Sequence, residues 1–249
     1  MRIKSVEKKL GNFSLNIEKL EIPGPGIYGL IGPNGSGKST LAKIIAGLLP
    51  SDRGIIDTEG LTFRDITYLP RKPYMMDDTV YNNLVYPLRL RKIQPAPDLI
   101  AEYLTRMGFS EREKQKAKSL SGGEQQKLAF LRALIFKPKF IIADEAMTAM
   151  DMDSLDIFDS MILDIQKKDP ITWIFISHQM PHVRRLCNHV FFIYRGKIEA
   201  EGNTEELFSR PDNPHLRQYL QAYGGGDSGF TESHFTAGEE DETAHSRHS

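Results

Sequence analysis

Near the start of the chain Phe13, Leu15 and Ile17 recur at every second position, the spacing of a half-buried strand, and "IPGPG" then breaks the run. The pattern changes after that. "IYGLI" (Ile27 to Ile31) is a continuous apolar stretch of strand length. Beyond a glycine-rich segment, Leu41, Ile44, Ile45 and Leu48 fall at i, i+3, i+4 and i+7, which predicts a helix laying that stripe on a core. "GIIDTEG" and "DITYLP" predict further short strands. From about Asp77 to Lys137 the periodicity is helical, interrupted by "PAP" at Pro95 to Pro97, and predicts an inserted helical subdomain. Apolar strand-length runs return at "FIIAD" (Phe140 to Asp144) and "ITWIFIS" (Ile171 to Ser177). Leu155, Phe158, Ile162 and Ile165 mark an amphipathic helix between them, and "VFFIYRGKIEAEG" predicts a hairpin turning at Arg195-Gly196.

Short, continuously apolar strands alternating with helices predict an α/β fold whose mostly parallel sheet is covered on both faces. From Gly224 onward glycine, acidic residues, serine and histidine dominate with few apolar anchors, which predicts a disordered tail over 224–249. No internal repeat is visible. A length of 249 residues suits one large domain, or a domain with a subdomain, with enough chain to bury a core without staples. Lys and Arg number 32 against 33 Asp and Glu, so no global field draws the chain to nucleic acid or an anionic membrane, and no nucleic-acid partner is expected. The single cysteine, Cys187, excludes a disulfide framework and a multi-cysteine zinc site, and reads as a small buried hydrophobe in a reducing cytosol. The first residues carry charge and no continuous apolar run, so no signal peptide is read there. The longest apolar runs are far too short to cross a bilayer, so any membrane role must go through a partner.

"GPNGSGKST" holds three glycines, each costly to order, beside a lysine and two hydroxyls. Gly32-x-x-x-x-Gly37-Lys38-Ser39 fits the phosphate-loop pattern and sits where that pattern requires, between a buried strand and a helix. Without side chains at Gly32, Gly35 and Gly37, successive backbone N–H groups can curl around a phosphate, and the next helix turns its partly positive N-terminus toward the same anion. Lys38 would reach the outer phosphates and Ser39 would give a hard oxygen to magnesium. "FIIADE" delivers Asp144 and Glu145 to the carboxyl edge of the sheet, where open α/β folds bind ligands. There Asp144 would hold the magnesium shell and Glu145 would polarise a water for attack on a γ-phosphate. In "SLSGGEQQKLAFLRALI" Ser121 and Glu124 make a capping box, and Leu128, Leu131, Ala133 and Ile135 give the helix an apolar side. Capping does not explain Gly122 and Gly123 in the first turn, where each costs about 0.8–1.0 kcal/mol relative to alanine. Close backbone approach to an anion would explain them.

At these residues the sequence resembles the ATP-binding cassette (ABC) family from Met1 to about Tyr223. Residues Gly32, Pro33, Asn34, Gly35, Ser36, Gly37, Lys38, Ser39 and Thr40 are similar to its Walker A loop, "LSGGEQQ" (with Ser121, Gly122, Gly123 and Glu124) to its signature, and "FIIADE" to its Walker B strand. "TAMD" resembles the D-loop with Asp151, and His178 in "FISH" the switch histidine that senses the γ-phosphate. The resemblance implies a P-loop NTPase fold: a RecA-like core with a mostly parallel sheet, an antiparallel β subdomain and an inserted α-helical subdomain over about 77–137, all within a cassette spanning 1–223. It implies ATP and Mg2+ as ligands, ATPase activity, and a second cassette, a homodimer, in which the signature of one chain closes over the ATP of the other. It also implies separate transmembrane permease subunits, an extracytoplasmic solute-binding protein, and a place at the cytoplasmic face of the membrane.

Departures from the family pattern stand out. The Q-loop usually reads Tyr-x-Pro-Gln, whereas this chain has "YLPR" with Arg71, a cation that cannot ligate magnesium. Arg71 contacts phosphate directly, or the metal relies on Ser39, Asp144 and more water, or a neighbour substitutes. The usual proline after Glu145 is Ala146. For the aromatic that stacks on adenine, Leu10 aligns most naturally and Phe13 is the nearest ring; Phe13 is the candidate. "MMDDTVYNNLVYPLRL" is either a landing site for a permease coupling helix or a plain amphipathic helix. "LGNFSLNI" and "YPLRLR" are similar to cassettes of oxyanion importers, molybdate or tungstate in particular. The alternative to a transport subunit is a soluble ABC ATPase or an ATP-gated regulatory module.

Overall fold

The structure, a computed structural model, describes residues 1–62 and 64–223; the tail expected after Tyr223 lies outside the described residues. The chain opens with strands β1 (Arg2–Leu10) and β2 (Phe13–Glu21), paired antiparallel from Leu10 opposite Phe13 to Arg2 opposite Glu21. The alternation predicted for β2 is seen at Leu15 and Ile17, which are buried, and at Phe13, which is half-buried; beyond Ile17 it shifts by one residue, so that Lys19 is exposed and Leu20 buried. Strand β3 (Gly26–Ile31) and helix α1 (Lys38–Ile45) flank the glycine loop. Leu41, Ile44 and Ile45 are buried as predicted, but Leu48 is 62% exposed. The stripe stops one turn early because Gly47 takes a left-handed φ of +71° just after the helix, the conformation in which helices commonly end.

Next come β4 (Arg53–Asp57), which pairs with β1, and β5 (Ile66–Leu69). Three helices follow: α2 (Val80–Arg91), α3 (Pro97–Arg106) and α4 (Gly122–Leu134). The "PAP" break separates α2 from α3, and Pro97 opens α3 at its first turn, where its missing N–H costs nothing. The remaining elements are β6 (Phe140–Asp144), α5 (Met152–Lys168), β7 (Thr172–Ile176), α6 (Met180–Leu186), β8 (His189–Tyr194), β9 (Lys197–Asn203), α7 (Thr204–Ser209) and α8 (Pro214–Tyr223). The predicted hairpin turns at Arg195 and Gly196, both at positive φ.

Two sheets result: an antiparallel β2-β1-β4 and a six-stranded β5-β6-β7-β3-β8-β9, parallel except for β9. Every residue of β6 and β7 is buried, as expected for strands covered on both sides. Their side chains divide by the two-residue period of a strand. Ile141, Ala143, Trp173 and Phe175 join a core with α2 to α6 and α8, whereas Phe140, Ile142, Ile174 and Ile176 join a core with α1 and the small sheet. One consequence of this order positions the site. The four neighbouring parallel strands β5, β6, β7 and β3 end side by side, and their carboxyl ends lead directly into Arg71, Glu145, His178 and the glycine loop.

Candidate nucleotide-binding site

Gly32 and Gly37, at the two ends of the loop, are bare because their surroundings are crowded, whereas Gly35 between them meets nothing within 4 Å and takes a left-handed φ of +74°. A Cβ at Gly32 would lie 2.0 Å from the Ile193 carbonyl oxygen, and one at Gly37 would lie 2.8 Å from the Phe13 and Leu15 side chains. Phe13 therefore sits against the loop, on the strand where sequence put it, while Leu10 is exposed on the neighbouring strand. Lys38, the first residue of α1, is buried and folds back so that Nζ donates to the carbonyls of Gly32 at 2.7 Å and Pro33 at 2.9 Å. Burial pushes its ammonium down to about 8, with Glu145 and Asp144 opposing.

Asp144 ends β6 and receives two hydroxyls: Ser39 Oγ donates to Oδ1 at 3.0 Å and Tyr68 Oη to Oδ2 at 2.5 Å. Tyr68 is a site residue that sequence reasoning missed; it lies 76 positions from Asp144, and the "YLPR" segment was its only signal. Burial and the neighbouring carboxylate raise the phenol well above its usual range, so it stays a donor.

Glu145 adopts φ +50°, a left-handed conformation that costs a non-glycine residue roughly 1–2 kcal/mol. Its N–H is held by Ile176 O at 3.0 Å, which ties the strained residue to the end of β7. Arg71 Nη1 lies 3.2 Å from Oε2, and His178 Nε2 approaches Oε1 at 3.0 Å without completing a hydrogen bond. Burial, reinforced by Lys38 and opposed by Glu145, holds His178 below the ordinary histidine range, so the ring is neutral at neutral pH. Behind it stands Tyr219 of α8, buried, with Oη 3.5 Å from His178 Nδ1, and the Tyr223 ring lies 5.8 Å from the imidazole. No sequence motif pointed to these two tyrosines.

Ser121 and Glu124 form the predicted capping box at the start of α4, and Arg112 Nη1 adds a 2.6 Å bond to Glu124, which lowers that carboxyl below its usual range. Neither meets Lys38, Asp144, Glu145 or His178 among the described residues. The two glycines beside them differ. A Cβ on Gly123 would lie 2.8 Å from the Ala149 carbonyl, so this chain itself requires that glycine, whereas nothing stands within 4 Å of one on Gly122. Asp151 caps α5 by accepting from Ser154 N at 2.8 Å. The link between these segments is another residue that sequence reasoning missed, buried Gln126. Its Nε2 donates to Arg71 O at 3.0 Å and its Oε1 accepts from Ala149 N at 3.1 Å.

A parallel sheet with a lysine-bearing glycine loop at its carboxyl edge and an Asp-Glu pair on the adjoining strand defines a P-loop nucleoside-triphosphatase. Residues 12–148 match the ABC transporter family. The tungstate uptake system ATP-binding protein TupC of Peptoclostridium acidaminophilum is 34% identical over 199 residues, covering 77% of this chain and 93% of that protein. The methionine import ATP-binding protein MetN of Wolinella succinogenes is 33% identical over 216 residues, 81% of this chain and 71% of that protein. Among solved structures, a nucleotide-free ATP-binding cassette from an ABC transporter superposes with a TM-score of 0.72 at 26% identity, covering 88% of this chain and 97% of that one. An ATP-binding subunit of an ABC transporter reaches 0.78 at 20% identity over 90% of this chain and 99% of that one, a likeness of fold. The chain belongs to the ABC transporter family as an ATP-binding subunit, and it is an ATPase. Among the described residues no helix is long and apolar enough to cross a membrane.

Proposed function

We propose that this chain is the ATPase subunit of an importer, pairing with a second copy of itself and driving separate permease subunits, with an oxyanion such as tungstate or molybdate as the solute. The observation that carries the catalytic part is the convergence of Lys38, Ser39, Asp144, Glu145 and His178 from three adjacent strand ends. The backbone of Gly32 to Thr40 clasps the phosphates of ATP, Phe13 takes the adenine, and Lys38 leaves the two carbonyls it now bonds for the β- and γ-phosphates.

Magnesium fits the donors present. Ser39 Oγ and Asp144 Oδ1 are two hard oxygens 3.0 Å apart, and among the described residues no three His, Cys, Asp or Glu gather elsewhere into a metal cage. The ion would be held there, with the rest of its shell from phosphate and water, and would neutralise charge on the transferring phosphoryl group. Glu145 accepts the proton of the attacking water as its oxygen bonds to the γ-phosphorus and the bond to the bridging oxygen breaks, leaving ADP and inorganic phosphate. His178, neutral and backed by Tyr219, donates to the γ-phosphate from Nε2. Ser121, Gly122, Gly123 and Glu124 close over the nucleotide of the second copy, beside Asp151.

Permease contact is supported by a cleft of about 500 Å³ beside α2, lined by Tyr74, Tyr86, Pro87, Leu90, Arg132 and Phe136. Tyr74, Tyr86 and Leu90 are exposed, the apolar surface a coupling helix needs. Import of an oxyanion is supported by the tungstate uptake relative, matched over 93% of its length. A solute-binding protein would then deliver the oxyanion outside the membrane. The test is twofold. Glu145→Gln should accumulate as an ATP-dependent dimer on size exclusion, with hydrolysis at least about 100-fold slower; rapid turnover by that variant refutes the role of Glu145. Reconstituted with its permease and binding protein, the chain should hydrolyse ATP faster with tungstate or molybdate than with methionine, and the reverse preference refutes the solute.

A further inference from the structure

Arg71 stands where a neutral residue would suffice to hold a loop, and it brings a full charge to the reacting end of the site. Its backbone is held by Gln126 at 3.0 Å, yet its side chain is 67% exposed and can swing. Only Nη1 is engaged, by Glu145 at 3.2 Å, so most of the N–H donors of the guanidinium are free of protein partners among the described residues. The other oxygen of the same carboxylate has His178 Nε2 at 3.0 Å. An arginine and a histidine nitrogen therefore converge on one anion, and that anion is the group that must be free to take a proton during hydrolysis. A γ-phosphate entering beside Glu145 carries more charge than the carboxylate and matches the planar fork of an arginine in a two-point contact.

We propose that Arg71 is a ligand of the γ-phosphate: Glu145 holds it while the site lacks a nucleoside triphosphate, and the triphosphate draws it off, which frees the carboxylate for water. This deepens the ATP reading and rests on it. ADP lacks the γ-phosphate, so the exchange also lets the site tell ATP from ADP. Lys38 is placed differently, on the loop carbonyls of Gly32 and Pro33, and serves the phosphates that the loop encloses. Glu145 is only 15% exposed while Arg71 is 67% exposed, so water screens the arginine end of the pair and the carboxylate holds it weakly enough to lose it to a more highly charged anion.

The experiment is calorimetric binding of magnesium with the β,γ-imido analogue of ATP, and separately with ADP, to the full chain and to Arg71→Gln and Arg71→Lys. Arg71→Gln should weaken the triphosphate analogue about tenfold or more and change ADP affinity less than about twofold, with Arg71→Lys between it and the wild type. Circular dichroism of an exposed substitution should be unchanged. Equal loss of both ligands, or no change in their ratio, overturns the proposal. So does faster hydrolysis by Arg71→Gln with an unaltered ratio, which would make Arg71 a counter-ion of Glu145 alone. If the folded wild type binds neither nucleotide, the ATP reading fails first and this inference with it.

Discussion

Gln126 bonds the backbone of two segments, Arg71 O at 3.0 Å and Ala149 N at 3.1 Å, and it does so from a buried position. Gln126→Leu keeps the bulk and removes both bonds. Both bonds are partly buried and Arg71 and Ala149 are themselves exposed, so water replaces part of each; at about 0.5–1.5 kcal/mol per bond, losing both should cost about 1–3 kcal/mol. Gln126→Glu keeps an acceptor for Ala149 N but sets a carboxylate oxygen against the Arg71 carbonyl, so it should cost at least half as much. Urea unfolding at fixed pH reads both, as a shift in midpoint with an unchanged slope. The loop bearing Arg71 and the segment before Asp151 should also loosen, so ATP turnover should fall in Gln126→Leu under conditions where the protein remains folded. A loss below about 0.5 kcal/mol in Gln126→Leu would refute the reasoning, because the two backbone groups would then have other partners.

Gly123→Ala places a Cβ 2.8 Å from the Ala149 backbone carbonyl and should cost about 1–3 kcal/mol by thermal or urea unfolding. Gly122→Ala meets nothing within 4 Å and should stabilise the chain by up to about 1 kcal/mol while weakening ATP-dependent dimerisation; full dimerisation would show that Gly122 is not kept bare for a second chain's nucleotide. His178 is held below its unfolded value by burial, with Lys38 and Arg71 lowering it and Glu145 raising it. The unfolded chain therefore takes up this proton first as pH falls, and stability should decline below about pH 6.5 by up to about 1.4 kcal/mol per pH unit. His178→Asn should remove that part of the slope, and a variant with the wild-type slope would contradict it. Tyr219→Phe should leave the fold intact by circular dichroism and lower the turnover number at saturating ATP, since Oη lies 3.5 Å from His178 Nδ1; an unchanged turnover number would contradict a supporting role for Tyr219.

Local chemistry was legible in the sequence. The apolar runs of β6 and β7, the glycine loop before α1, the capping box of Ser121 and Glu124 and the turn at Arg195-Gly196 each follow from residues close together in the chain. The overrun at Leu48 was avoidable, because Gly47 carries a helix-end signal that the apolar spacing outweighed. Other features needed the strand order. Tyr68 reaches Asp144 across 76 residues, Gln126 reaches Arg71 across 55, and Tyr219 reaches His178 across 41. No periodicity encodes which strands lie side by side, so a pairing of β5 with β6 and the packing of Tyr219 of α8 against Phe192 of β8 and beside His178 become visible only once the sheet is assembled. Gly123 teaches a related lesson: its bareness suggested an outside anion, and a carbonyl of the same chain accounts for it.

The central claim is that the loop around Lys38 holds the phosphates of ATP. Calorimetric titration of magnesium-ATP into the folded chain, beside Lys38→Ala, tests it directly. Saturable binding of one nucleotide per chain, weakened at least about tenfold in the variant, is the predicted result. Absence of binding by the folded wild type, or equal affinity in Lys38→Ala, would contradict it.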